Sequence, residues 1–205
     1  MIILAHRGWW TDPSEKNSRL AISKAFSAGF GVETDVRDHN GELVLSHDMP
    51  TDGDLTPFEW VVSSFASAGQ PGYLAINIKA DGLHAPLIAM LARHGVTRAF
   101  VFDMAVPDAV GYLKARIPSF TRHSEMEPAP PFYERADGVW MDCFDTDWIA
   151  ASDVKTHLDA GKAVALVSPE LHGRNPRSAW EAWAPLRDTD AMICTDLPEQ
   201  WLASV

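Results

Sequence analysis

The chain predicts a closed (β/α)8 barrel, on three observations. Short apolar runs rich in Val, Ile, Leu, Phe and Ala alternate with segments of helical period along the whole sequence. The runs are continuous rather than alternating, which is the signature of parallel strands buried on both faces under helices. A polar residue follows almost every run, whereas an open doubly wound sheet, the competing architecture, gathers its site at one crevice.

The strands are expected at 2–5, 31–36, 43–46, 73–78, 99–102, 119–121, 138–141, 163–167 and 191–194. The run at 43–46 reads as a hairpin partner of the second strand, which leaves eight βα units of about 26 residues each in the 205-residue chain. The first helix is expected at 14–28, with Ser14 as its cap and Gly29 as its stop. The segment 57–68 places Phe58, Val61, Val62 and Phe65 on one face and ends at Gly69. Further helices are expected at 85–94, at 107–116 with Pro in its first turn and basic residues in its last, at 153–160, at 177–186 and at 199–203. Residues 127–135 are Pro-rich and weakly helical at best. No linker, repeat or low-complexity stretch interrupts the pattern, so residues 1–205 are expected to form one domain.

Composition narrows the function classes. Hydrophobic residues make up 46% and charged residues 22%, the mixture of a soluble globular protein. The net charge of −11 argues against nucleic acid or anionic lipid as a partner, because both need clustered positive charge. Cys143 and Cys194 each sit in an apolar run and read as small buried residues. The opening MIILAHRG is too short for a signal sequence, and no apolar run approaches the ~18 residues of a membrane span. A cytoplasmic protein without stable membrane insertion is expected.

The polar residues collect where the strands end, and in a barrel those ends converge on one face. His6 and Arg7 follow the first strand, Glu33, Asp35 and Arg37 lie on the second, and His47 and Asp48 end the hairpin strand. Asn77 and Lys79 end the next, followed along the chain by Asp103, then Arg122, Ser124 and Glu125, then Asp142. Ser168, Glu170, His172 and Arg174 follow the seventh unit, and Thr195 and Asp196 the eighth. Asp103, Thr195 and Asp196 read equally well as helix caps.

Glu33 and Asp35 are the informative pair. Residues two apart in a strand share a face, and two carboxylates side by side inside a barrel repel each other and lose hydration. A divalent cation, Mg²⁺ or Ca²⁺, cancels that penalty; pairing with Arg7, Arg37 or Lys79 is the alternative. Asn77 and Lys79 repeat the spacing, offering an amide oxygen as a third ligand and a cation for an anionic substrate. His6 and His47 suit a general base and a general acid. Zinc is disfavoured, because no HxH or HExxH is present.

AHRG, KNS, GVETDVR and LVLSHD, in that order and spacing, with ICTDLPE near the end, resemble the glycerophosphodiester phosphodiesterase family, a (β/α) barrel family. The resemblance is dense over about the first fifty residues. It implies that His6 and His47 are the acid/base pair, that Arg7 contacts the phosphate, and that Glu33 and Asp35 bind the metal. Asn77 stands where the family has a Glu, and Lys16-Asn17-Ser18 stands for its Glu-Asn-Thr. The insertion after the second His is cut to MPTDGDLTPFEW, and SPELHGR replaces the segment that carries the family's tryptophan. Sphingomyelinase D enzymes resemble the same plan.

The sequence therefore reads as a metal-dependent phosphodiester hydrolase for a glycerophosphodiester-like or a sugar or polyol substrate, with one divalent cation held by Glu33, Asp35 and Asn77. Asp103 is the other candidate third ligand. Lys79 joins Arg7 on the phosphate, and Arg122, Glu170, His172 and Arg174 are the candidates for leaving-group recognition. Trp9 and Trp10 are candidates either for stacking on substrate or for loop packing. A barrel that binds a sugar phosphate with weakened catalysis, and a sphingomyelinase D-like phospholipid transferase, are the alternatives.

Overall fold

The computed structural model of the chain describes residues 1–53 and 55–204; Asp54, inside the shortened 49–60 connection, and Val205 lie outside the described residues. Eight parallel strands form one ring. In chain order they are β1 (Ile2–His6), β2 (Gly31–His39), β4 (Leu74–Ile78), β5 (Ala99–Phe102), β6 (Phe120–His123), β7 (Gly138–Met141), β8 (Ala163–Val167) and β9 (Met192–Thr195). Around the ring they run β5-β4-β2-β1-β9-β8-β7-β6, and β3 (Glu42–Leu45) pairs antiparallel with the far end of β2. The hairpin reading of 43–46 is therefore met. The ring closes between β5 and β6 through a lone bridge, Val101 to Ser119, with the Val101 N–H donating to the Pro118 carbonyl at 2.9 Å.

The helices α1 (Arg19–Ser27), α2 (Phe58–Ser67), α3 (His84–Arg93), α4 (Val106–Ala115), α5 (Ala151–Asp159), α6 (Arg177–Trp183) and α7 (Pro198–Ala203) cover the outside. No helix follows β6 among the described residues. Pro128, Pro130 and Pro131 remove amide donors there, and residues 124–137 form turns instead. The core has three parts. Two lie between strands and helices, around Ile22, Phe65 and Leu87 on one side and Val139, Trp183 and Ile193 on the other. The third fills the barrel itself.

That filling decides where a ligand can enter. Phe100 stacks on Phe120 and Phe102 on Trp140, each pair with ring centroids 3.8 Å apart, and Leu4, Met192 and Cys194 close the remaining space. Stacked pairs of this kind add ~0.5–1.5 kcal/mol each beyond burial of their area. Gly138 makes room for them, since a Cβ there would lie 2.4 Å from the Phe120 ring. With the interior plugged by side chains, the polar residues stand on the C-terminal mouth.

The first helix departs from expectation. Ser14 is not its cap; Asp12 caps a short 3-10 turn at Pro13–Glu15, and Ser18 caps α1, accepting the Ala21 N–H at 3.1 Å. Lys16 is extended and Asn17 takes a left-handed φ of +60°, which stops the helix from starting earlier. The segment folds back instead, and the Asn17 N–H donates to the Arg7 carbonyl at 2.8 Å. No described helix is long and apolar enough to cross a membrane.

Candidate active site

Adjacent strands present the central residues. In register, His6 of β1 lies beside Glu33 of β2, and Asp35 of β2 beside Asn77 of β4. Glu33, Asp35 and Asn77 are buried, and Arg7, Lys16, Asn17, Ser46, His47 and Asp48 line an open cleft of about 360 Å³ over this end of the barrel.

The turn after β1 is strained to place Arg7. Arg7 has a φ of +56°, which costs about 1–3 kcal/mol for a residue with a side chain. Gly8 follows at +93°, and a Cβ on it would sit 2.7 Å from the Ala21 backbone at the start of α1. The bend turns the Arg7 guanidinium to Asp35, with Nε 3.0 Å from Oδ2. Asp35 also faces Lys79, 3.5 Å away, and accepts from the Asn17 side chain at 2.9 Å. Thr34 donates to Asn17 Oδ1 at 2.9 Å and fixes which end of that amide faces Asp35. The pairing alternative for Asp35 thus holds with Arg7 and Lys79, while Arg37 turns away to the His47 carbonyl at 3.0 Å.

Glu33 has no such cation. Burial and the neighbouring Asp35 push its carboxyl up to about 8. The Asn77 amide donates to Glu33 at 3.3 Å and to Asp103 at 3.2 Å, and burial raises Asp103 as well. Glu33 Oε2 and Asn77 Oδ1 are buried oxygens with no hydrogen-bond partner, and Asp35 Oδ1 meets only the Lys79 ammonium at 3.5 Å. Buried polar atoms are rarely left this way. Acceptor oxygens left open side by side in a buried site suit a cation, so the donor set fits one hard divalent ion with Glu33, Asp35 and Asn77 as its oxygens. No three His, Cys, Asp or Glu side chains gather as a ligand set among the described residues, so a cation at Glu33 and Asp35 would take the Asn77 amide oxygen as its nearest further donor.

His6 is oriented from behind. Its Nδ1 lies 2.6 Å from Asp196, which also pairs with Lys16 at 3.1 Å, and its Nε2 lies 3.8 Å from Glu33. These contacts and that with His6 keep the Asp196 carboxyl below its usual range, while burial lowers His6. A carboxylate can only accept, so Nδ1 carries the ring proton and Nε2 points its lone pair into the site. Asp196, which reads equally well in the sequence as a strand-end site residue or a helix cap, holds the His6 ring. His47 repeats the arrangement in the open, with Nδ1 2.8 Å from Asp48 and its side chain 43% exposed.

The four recognition candidates are not gathered in one place. Arg122 pairs with Asp103 at 3.1 Å and with Glu127, at the edge of the site beyond Asn77. Glu170 accepts from Ser168, Thr195 and the Asp196 N–H, the last at 3.1 Å, and so buttresses the residue that holds His6. His172 pairs with Asp142 at 2.7 Å, and Arg174 is committed to Asp147 and the Cys143 carbonyl. Trp9 packs edge-on against Phe30 under Lys24, while the Trp10 indole donates to the His6 carbonyl at 3.1 Å and carries Lys16 over its face. Lys16 and Asn17 enter the sequence reading only as part of the KNS segment, with no role assigned, and Thr34 not at all; in the structure the left-handed Asn17 breaks the helix.

The fold and this mouth define a (β/α)8 barrel with a buried carboxylate–amide set and an oriented histidine. No family model and no curated protein matches the chain. Solved structures do. A glycerophosphodiester phosphodiesterase from Parabacteroides distasonis superposes with a TM-score of 0.76 at 16% identity, over 98% of this chain and 95% of that one. One from Agrobacterium tumefaciens gives 0.74 at 14%, over 99% of each. A phosphodiesterase from Oleispira antarctica, solved with the product sn-glycerol-3-phosphate, gives 0.70 at 16%, over 100% and 96%. At such identities the likeness establishes the barrel fold, which was the expectation from sequence.

Proposed function

We propose that this protein hydrolyses phosphodiesters of the glycerophosphodiester or polyol phosphate kind. The observation that carries the reading is the set of buried oxygens without a hydrogen-bond donor, Glu33 Oε2, Asp35 Oδ1 and Asn77 Oδ1, beside the cations Arg7 and Lys79. Glu33, Asp35 and Asn77 would hold a divalent cation, which would supply Lewis-acid polarisation of the phosphoryl group. Arg7 and Lys79, both anchored on Asp35, face the remaining phosphate charge, with the planar guanidinium as a two-point donor. His6 Nε2 takes the proton from the attacking water or vicinal substrate hydroxyl, and Asp196 stabilises the imidazolium so formed. His47 protonates the departing alkoxide. Acid–base help of this kind is worth roughly 10²–10⁴-fold per group. The structures solved from other organisms, one with sn-glycerol-3-phosphate, support the substrate class.

The test is a panel of phosphodiesters assayed with Mg²⁺, with Ca²⁺ and with EDTA, the products identified by phosphorus NMR. Cation-dependent cleavage of diesters and not of monoesters is expected. No cleavage with either ion overturns the reading.

A further inference from the structure

The missing helix after β6 leaves an opening. Between α4 and residues 131–136 lies a narrow, half-enclosed cavity of about 60 Å³, room for a few methylene groups and not for a bulky ligand. Val106, Ala109 and Leu113 line it from one face of α4, with Pro131, Phe132 and Thr121 across from them. Val106, Leu113 and Phe132 belong to none of the three core clusters, so their apolar surface faces the cavity instead of the core. At its upper end stand Asp103 and Arg122. Asp103 accepts from the same Asn77 amide that donates to Glu33, so Asp103 is one hydrogen bond from the candidate cation ligand Asn77 and two from Glu33. Val106, which lines the cavity, is also 46% exposed and carries its apolar surface to the outside.

Polarity thus runs along one path, ionic at the active site and apolar away from it. We propose that this cavity is a subsite for a neutral apolar chain, which makes the substrate a single-chain amphiphilic phosphodiester; this rests on the phosphodiesterase reading above. The chain lies along α4 while its phosphodiester stays at Arg7, Lys79 and the carboxylates. An anionic chain is excluded, because Asp103 and Glu127 stand at the entrance and Arg122 is already paired to both.

The experiment is a series of alkyl glycerophosphodiesters from methyl to decyl, each held below its aggregation concentration, assayed with the divalent cation. KM is expected to fall about three- to fourfold per methylene that enters the cavity, then level off. Ala109→Trp, which fills the cavity, should flatten the series relative to the methyl ester. Leu113→Ala, which enlarges it, should move the plateau to longer chains. A KM independent of chain length, or an unaltered slope in Ala109→Trp, overturns the subsite while cleavage of the methyl ester leaves the phosphodiesterase reading standing. If no ester is cleaved, the phosphodiesterase reading falls by itself. The cavity is then read by NMR with decyl phosphate as the probe: shifts of the Ala109 and Leu113 methyl resonances that vanish in Ala109→Trp support a chain site, and their absence overturns it.

Discussion

His6 Nδ1 lies 2.6 Å from Asp196 Oδ1, across 190 residues of sequence, and so the ends of the first and last strands of the barrel are joined by one side-chain hydrogen bond. Lys16 holds the other Asp196 oxygen and Glu170 holds its backbone N–H. Asp196→Asn keeps the shape but offers His6 an amide that can donate, which releases the tautomer with Nε2 free. The expected loss in kcat is about 10²-fold or more with KM little changed. Steady-state kinetics beside a thermal melt check this; a rate near wild type in a folded variant removes Asp196 from the orienting role.

The cation site should answer to charge. Glu33→Gln and Asp35→Asn each remove one unit next to a divalent ion and are expected to abolish measurable binding in calorimetric titration. Asn77→Glu adds one unit and should tighten it. The same change sets a third carboxylate against Glu33 and Asp103, so the cation-free variant should melt lower than wild type and gain more on adding the ion. Unchanged affinity in Asn77→Glu would move the third ligand to Asp103.

Glu33 makes the binding pH-dependent. Its carboxyl is raised to about 8 by burial and by Asp35, so it keeps its proton at neutral pH in the cation-free protein. A ligating carboxylate must be ionised, so cation binding should release close to one proton near pH 7 and tighten as pH rises. A raised acid stabilises the fold below its unfolded value of about 4.5 and loses that contribution as pH climbs toward 8. The cation-free protein should therefore lose stability across that window, and the cation should restore it. Calorimetry in buffers of different ionisation enthalpy counts the proton; a count of zero disproves the assignment.

How much of this was legible in the sequence follows from range. Glu33 and Asp35, or Asn77 and Lys79, lie two apart on one strand, so strand geometry alone puts each pair on one face. His6 with Asp196 and Asn17 with Asp35 meet only through the ring order and a left-handed turn, which periodicity does not reveal. The same applies to the 14–28 helix. Its pattern was helical, yet the backbone bond from Asn17 to the Arg7 carbonyl wins and delays the start to Arg19. Glu170, His172 and Arg174 share a connection in sequence, but each side chain is bound to a different neighbour.

A second titrating cluster lies away from the site. His123 Nδ1 and His157 Nε2 are 3.0 Å apart, and Tyr133 bonds the other His157 nitrogen at 2.8 Å. Burial lowers both histidines, with Asp153 opposing in part. Lowered bases stabilise the fold above the unfolded value of 6.5, and that contribution is lost as pH falls through their folded values. Melting temperature should drop between about pH 7 and 5, and His157→Gln should lessen the slope. An equal slope in the variant would place the acid sensitivity elsewhere.

His47 separates the two halves of the proposed chemistry. An alkoxide is a poor leaving group and needs a proton, while an aryl oxide leaves without one. A diester carries a single negative charge, which Arg7, Lys79 and one cation can offset; a monoester dianion is better served by two metals or more cations. With His6 required neutral and His47 required protonated, the pH profile on an alkyl diester should be bell-shaped, its two apparent pKa values belonging to the pair. His47→Ala should cost at least ~10² in kcat on an alkyl diester and flatten the basic limb, yet cost much less on an aryl diester. His6→Ala should slow both substrates alike, because the attacking group still needs its base. Equal losses on alkyl and aryl diesters in His47→Ala would show that His47 is not the acid, and near wild-type rates with both histidines replaced would leave the cation acting alone.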